Sequence, residues 1–154
     1  MSVYSIVTKE DKLLRKTSKA VPEVTDNVRK LLDNMLETMY ASNGVGLAAP
    51  QIGILKRVFV VDIGPDGPGP LKLINPEIIE RSGYQVGPEG CLSCPGIYGE
   101  VKRSMNIKMK ALNTDGEEII IEASGFLARA LQHELDHLDG ILFIDTATNL
   151  EYQM

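Results

Sequence analysis

The sequence predicts an α+β fold in which antiparallel or mixed β-sheets pack around a central helix, with an amphipathic helix nearer the N-terminus. Two segments place apolar residues at helical spacing, and the stretch between them contains short runs of β-branched and apolar residues that favour strands. The dipeptide Asp115-Gly116 between two of these runs favours a hairpin turn. The chain has 154 residues, and we expect residues 1–154 to form one domain.

The first helix is predicted over residues 26–40. Thr25 or Asp26 can cap its start, and Gly44 lies just beyond its end. Apolar residues recur in it every three or four positions, which predicts a helix that packs on the core; they are Val28, Leu31, Leu32, Met35, Leu36 and Met39.

Strands are predicted at residues 57–63, 71–74, 78–82, 101–112 and 118–123. Residues 64–70 are rich in glycine and proline and predict a loop. A second helix follows the last strand, and Ser124 can cap it while Gly140 can end it.

The second helix carries the most informative motif, QHELDH at residues 132–137. His133 and His137, the only two histidines of the chain, share one helix face at this spacing and can bind one metal ion. Glu134 points about a quarter-turn away and can handle a proton beside that ion. An exposed charged helix that carries the pattern by chance is the alternative interpretation.

Cys91 is the candidate for a third ligand, since a catalytic metal usually has three protein ligands and one open position. It lies in EGCLSCPG at residues 89–96. Cys94 leaves two alternatives open: a closed structural zinc site of both cysteines and both histidines, and a thioredoxin-like redox pair. Because a residue before proline favours extended backbone, we expect Cys94 to project opposite to Cys91 and to pack rather than bind.

A glycine-rich segment, NGVGLAAPQIG, occupies residues 43–53. It lacks the Lys-Ser/Thr ending of a phosphate loop and follows a predicted helix, so it does not predict a nucleotide site. Gly44 and Gly46 offer bare backbone with which a peptide could pair, and Gln51 can donate to a carbonyl oxygen. An ordinary loop at a helix end is the alternative interpretation.

Two stripes of side chains are predicted along the second helix. Leu127, Leu131 and Leu138 should face the core. Phe126 and Ala130 lie on the same stripe as the histidines and should form an apolar pocket beside the metal. We interpret Arg129, which interrupts this surface, as a surface or rim cation without a chemical role.

Three motifs together resemble the signature motifs of peptide deformylases: GVGLAAPQ at residues 44–51, EGCLS at residues 89–93 and QHELDH at residues 132–137. Their order and spacing are comparable, and the resemblance spans residues 2–145. It implies a metallo-hydrolase that removes the formyl group from the N-formylmethionine of nascent peptides and releases formate. A zinc peptidase of the H-E-x-x-H type and a zinc-stabilised binding domain are the alternative functions.

The resemblance also assigns roles to residues. It implies that Cys91, His133 and His137 bind the metal and that Glu134 is the acid/base. Gln51 and the Leu92 N–H would stabilise the oxyanion, and Glu89 would pair with Arg103 to hold the cysteine loop. The substrate cleft is expected to be lined by Val45, Gly46, Glu89, Gly90, Phe126 and Ala130.

The ligand spacing does not identify the metal; the resemblance implies Fe²⁺, with nickel, cobalt or zinc as substitutes. No apolar run approaches the roughly 20 residues of a membrane span, and the first residues lack the pattern of a signal peptide. A thiolate ligand requires a reducing compartment, so we expect a cytoplasmic protein that does not bind membranes.

Charge bears on the expected partners. The net charge of −5 with no basic run argues against direct nucleic-acid binding. Residues 146–154 contain no Lys or Arg, whereas some similar enzymes carry a basic helix there that docks on the ribosome. We therefore expect at most transient ribosome association, and we expect residues 148–154 to be dispensable for hydrolysis of a free peptide.

Overall fold

The computed structural model describes residues 3–153 and confirms the α+β fold. Residues 1, 2 and 154 of the expected domain lie outside the described residues. The helices are α1 (Asp26–Ala41) and α2 (Gly125–Leu138), and the strands are β1 (Gly46–Ala48), β2 (Val58–Val61), β3 (Leu71–Ser82), β4 (Gln85–Cys91), β5 (Cys94–Arg103), β6 (Asn106–Leu112), β7 (Glu118–Ser124) and β8 (Thr148–Tyr152).

Helix α1 forms within one residue of its predicted bounds. The Thr25 hydroxyl accepts a hydrogen bond from the Val28 N–H (3.3 Å) and caps the first turn. Val28, Met35 and Met39 are buried in a core cluster with residues of β1 and β2. The periodic apolar face therefore packs against the sheet, as predicted.

A five-stranded antiparallel sheet in the order β1-β2-β3-β6-β7 supports helix α2. Phe59, Leu73 and Met109 of this sheet pack with Leu131 and Leu138 of α2 in a second core cluster. This confirms the predicted core stripe of α2. Neither α1 nor α2 has the length and hydrophobicity needed to span a bilayer, and no other described helix does.

Two predicted boundaries within this sheet were wrong. The segments at residues 71–74 and 78–82 form one strand, β3, which bends at Asn75 (φ 51°). The Asn75 side chain holds this bend by bonding both the N–H and the C=O of Val21. The long strand predicted at residues 101–112 is divided at Ser104 and Met105 into β5 and β6, which belong to different sheets.

A second, three-stranded sheet has the order β4-β5-β8, and the sequence did not predict most of it. Strand β4 contains Gly87, Pro88 and Gly90, residues that rarely occur inside strands. It is an edge strand of its sheet, where proline is tolerated. A two-residue turn joins it to β5 and leads directly from Cys91 to Cys94.

The C-terminal segment forms strand β8 and pairs antiparallel with β5. A Cβ added at Gly99 of β5 would lie 2.8 Å from Leu150 and 2.9 Å from Ala147, so these side chains pack directly on the strand. The Gln153 N–H also donates to the Gly96 carbonyl (2.6 Å). Residues 148–154 therefore include a structural strand, which argues against our expectation that they are dispensable.

Candidate active site

The candidate metal ligands meet where helix α2 approaches the end of strand β4. Cys91 Sγ lies 3.2 Å from His137 Nε2. One donor atom each from Cys91, His133 and His137 lie within 4.8 Å of one another. One cysteine and two histidines form a donor set found at catalytic metal sites, so these residues could hold a divalent ion.

We expected Cys94 to project opposite to Cys91, and this expectation was wrong. The two cysteines are register partners across the β4–β5 turn, and directly paired residues point to the same face of a hairpin. Cys94 is nevertheless buried among Leu14, Ile97 and Val101 and does not belong to the ligand cluster found in the described residues. The backbone after Cys94 continues as β5, which differs from the helix of a thioredoxin-like motif.

Glu134 lies beside this cluster with one carboxylate oxygen free to act. The side chain is buried, and Oε1 has no hydrogen-bond partner among the described residues. Burial raises the pKa of Glu134 to about 7. A Cβ added at Gly46 would lie 2.3 Å from Glu134 Oε2, so the carboxylate occupies space that only a glycine leaves open.

Gln51 is oriented toward the site by its own backbone turn. It lies in the short 3₁₀ turn Ala49–Ile52 and is 1% exposed. Its Oε1 accepts a hydrogen bond from the Ala48 N–H (2.9 Å). Its Nε2 therefore points to the cysteine loop and lies 3.1 Å from Ser93 Oγ and 3.5 Å from Cys91 Sγ.

Glu89 orients His133 rather than facing the cleft with a free carboxylate. Its Oε1 accepts from His133 Nδ1 (2.8 Å), and Arg103 Nε and Nη2 bind its two oxygens (2.8 Å each). The Glu89–Arg103 pair implied by the resemblance is thus present. Burial raises the pKa of Glu89, but the hydrogen bonds from Arg103 and His133 outweigh this effect and hold it well below its usual value. The contact leaves His133 Nε2 available for a metal.

Cys91, His133 and Glu134 line a cavity of about 470 Å³. Its apolar surface includes Phe126, which is 53% exposed, and the buried Ala130. The sequence did not predict two further lining residues, Ile97 and Tyr98 of β5. All six residues expected at the substrate cleft line this cavity: Val45, Gly46, Glu89, Gly90, Phe126 and Ala130.

Comparison with known proteins agrees with this geometry. The chain matches the family model described as polypeptide deformylase over residues 3–153. It belongs to the polypeptide deformylase family. It is 56% identical to the peptide deformylase of Carboxydothermus hydrogenoformans over 150 residues, which cover 97% of each chain.

Solved structures of deformylases have the same fold. The peptide deformylase of Thermotoga maritima superposes with a TM-score of 0.92 at 47% identity, over 96% of this chain and 99% of that one. The enzyme of Ehrlichia chaffeensis in complex with actinonin superposes with a TM-score of 0.93 at 43% identity, over 97% of this chain and 91% of that one. The chain is therefore a metal-dependent hydrolase of the class that removes formyl groups from new peptides.

Arg129 was misinterpreted from the sequence. It is 5% exposed, so it is not a rim cation of this deformylase. Its Nη1 binds Glu89 Oε2 (2.6 Å) and the Val101 carbonyl (3.0 Å). Its position four residues before His133 was a usable signal, because that spacing places both side chains on one face of α2.

Proposed function

We propose that this chain hydrolyses the N-formyl group of N-formylmethionyl nascent peptides and releases formate. One observation carries the proposal: the cluster of Cys91, His133 and His137 lies beside Glu134, whose buried Oε1 is unpartnered among the described residues, and Cys91, His133 and Glu134 line one cavity. A carboxylate with a raised pKa next to a candidate metal is the arrangement expected of a general acid/base in hydrolysis.

Cys91 Sγ and one imidazole nitrogen each from His133 and His137 would hold the metal. When bound, a divalent ion supplies Lewis acidity and lowers the pKa of a coordinated water. We propose Fe²⁺ on the basis of the family resemblance, with nickel, cobalt or zinc as substitutes. Glu89 supports this assignment because its bond to His133 Nδ1 fixes the ring orientation.

Glu134 would accept a proton from the attacking water and return it to the leaving amine as the carbon–nitrogen bond of the formamide breaks. Its raised pKa suits both directions of transfer near neutral pH. The Gln51 amide and the Leu92 N–H would donate to the developing oxyanion, a contribution of typically about 3 kcal/mol per donor. The hydrogen bond from Ala48 to Gln51 Oε1 keeps that amide preoriented.

The substrate would bind as an added strand along β1. Strand β1 is an edge of the five-stranded sheet, and β4 is an edge of the three-stranded sheet. The cavity is lined by residues of both edges, including Gly46 and Gly90. An extended peptide could therefore pair its backbone with β1, and its methionine side chain would contact Phe126 and Ala130.

We further propose that residues 1–154 act as one catalytic domain in the cytoplasm and meet nascent chains by diffusion. Residues 148–152 pair with β5 as β8 and carry no cation, which supports at most transient contact with ribosomal RNA. The two free cysteines in and beside the ligand set favour a reducing compartment.

A formate-release assay tests the proposal. Anaerobically prepared protein should release formate from a formyl-Met tripeptide and should leave the unformylated tripeptide intact. Cleavage of the unformylated peptide would instead support the peptidase alternative. Thiol titration distinguishes our proposal from the closed zinc site. Bound metal should protect Cys91 alone in our proposal and both cysteines in the closed site.

A further inference from the structure

Arg129 occupies a buried position between the helix and the strand that carry the candidate metal ligands. It lies on α2 one turn before His133, and its side chain is 6% exposed. Its Nη1 reaches Glu89 of β4 and the Val101 carbonyl of β5. The guanidinium therefore joins α2 to both strands of the cysteine hairpin.

Strand β4 leaves room for this guanidinium. A Cβ added at Gly87 would lie 3.2 Å from Arg129 Nη2, closer than ordinary van der Waals contact. The same nitrogen lies 3.5 Å from Gln85 Oε1. The glycine and the arginine thus fit each other, and a larger residue at Gly87 would press on the guanidinium.

The contact with Glu89 completes the hydrogen bonding of a buried carboxylate. Glu89 Oε1 accepts from His133 Nδ1 and Arg103 Nη2, and Oε2 accepts from Arg103 Nε and Arg129 Nη1. Arg103 binds the Glu89 carboxylate from one side only, so with Arg103 alone the carboxylate could still tilt. Arg129 approaches from α2 and fixes the carboxylate relative to the helix that carries His133.

Charge balance supports the same arrangement. Arg103 also binds Asp136 (2.6 Å), so its charge is shared between two carboxylates. Arg129 supplies a second buried cation against Glu89. Without it, the buried Glu89 carboxylate would have only Arg103 as a guanidinium partner, and Arg103 is shared with the partly exposed Asp136.

We propose that Arg129 is a positioning residue that sets the separation between Cys91 on β4 and His133 on α2, and thereby slows release of the bound metal. The inference rests on the proposed ligand set. Glu89 stands two residues before Cys91 and holds the His133 ring, so a tilt of its carboxylate changes both ligands together. Loss of a residue that supports metal ligands typically lowers metal affinity by about 10–100-fold.

The test uses Co²⁺ as the probe metal. Wild-type protein and each variant are loaded with Co²⁺, the visible spectrum is recorded, and release to an excess of chelator is followed. Arg129→Met should release Co²⁺ at least about tenfold faster and alter the spectrum. Arg129→Lys keeps the charge but loses the planar guanidinium, whose second nitrogen lies near Gln85 Oε1, so it should release Co²⁺ at an intermediate rate.

Arg57→Met is the matched control. Arg57 binds the Leu138 carbonyl (3.1 Å) and Asp139 (2.9 Å) at the far end of α2, and its side chain is 19% exposed. It therefore also anchors α2, but it does not touch Glu89. Release from Arg57→Met should match the wild-type rate.

Wild-type release from a folded Arg129→Met variant would overturn the proposal. Equally fast release of Co²⁺ from Arg57→Met would overturn it too, because any loosening of α2 would then be enough to speed release. If Arg129→Met does not fold, Arg129→Lys decides, and a wild-type rate in that variant refutes the role. Failure of the wild-type protein to bind one Co²⁺ would instead refute the ligand set of the proposed function.

Discussion

Replacing Gly46 by alanine should displace the proposed acid/base without touching any metal ligand. Gly46 lies in β1, where the added Cβ would stand 2.3 Å from Glu134 Oε2 and 2.8 Å from Glu134 Cδ. The atoms that it meets belong to the end of a flexible side chain. The carboxylate should therefore move aside while the fold persists.

The size of the displacement follows from the geometry. Close carbon–oxygen contacts lie at about 3.3–3.6 Å, so Oε2 must retreat by roughly 1 Å from its present 2.3 Å. A misplacement of about 1 Å in a reacting group can lower the rate on the order of 10²-fold, or about 2.7 kcal/mol. The loss should appear in kcat, because Glu134 handles protons rather than binding the peptide.

Steady-state kinetics on a formyl-Met tripeptide would measure this effect, with metal content determined on the same samples. Gly67→Ala is the matched control, since its Cβ would lie 2.4 Å from Ile63 Cγ1, an overlap of similar size in a loop that does not line the cavity. Its kcat should stay near the wild-type value. A Gly46→Ala variant with wild-type kcat, or with a change in KM alone, would refute the reasoning.

Three further predictions concern the site and its support. Glu134→Gln should keep its metal while kcat falls about 10²–10⁴-fold, and a rate above roughly a tenth of wild type would refute the acid/base role. Cys91→Ser should lose the thiolate absorption of the Co²⁺ protein, whereas Cys94→Val should bind one Co²⁺ per chain; loss of metal from the latter would favour the closed zinc site. The hydrogen bond from Tyr40 lowers the pKa of Asp62. A carboxyl with a lowered pKa stabilises the folded state at pH values above its pKa in the unfolded chain. This stabilisation is lost as the pH falls through the pKa of the folded state. In urea unfolding, Tyr40→Phe should therefore destabilise the protein at pH 7 but much less in acid that protonates Asp62 in the folded protein, and an equal difference under both conditions would contradict this.

The candidate ligand set could be predicted because its signal is local and rare. His133 and His137 are four residues apart, so the helix alone brings them to one face. The third candidate ligand, Cys91, is one of only two cysteines in the chain. Helix α1 could also be predicted, because its apolar residues recur at helical spacing and form one buried face.

The second sheet could not be predicted because pairing between strands, and not the local preference of its residues, forms it. Gly87 and Pro88 disfavour a strand locally, yet they lie opposite Val101 and Glu100 in the β4–β5 ladder. The alternation argument for Cys94 failed for a related reason. The face of the hairpin to which each cysteine side chain points depends on the strand register. That register is set by the turn rather than by either residue.

The role of Arg129 could not be predicted for a third reason. Helical spacing places it on the face of His133, but its partner Glu89 lies 40 residues earlier in the sequence. No local pattern links two charged residues at that distance. The spacing of four residues to His133 was the available signal, and the buried carboxylate that explains it is visible only in three dimensions.

Strand β8 determines how stiff one wall of the cleft can be. All five of its residues are exposed, so its hydrogen bonds to β5 are open to solvent. Such strands open locally at low free energy, and their amide hydrogens exchange before those of buried strands such as β2. Each opening leaves the strand that carries Ile97 and Tyr98 into the cavity paired on one side only, with β4. The width of the cleft on that side should therefore fluctuate with the local opening of β8.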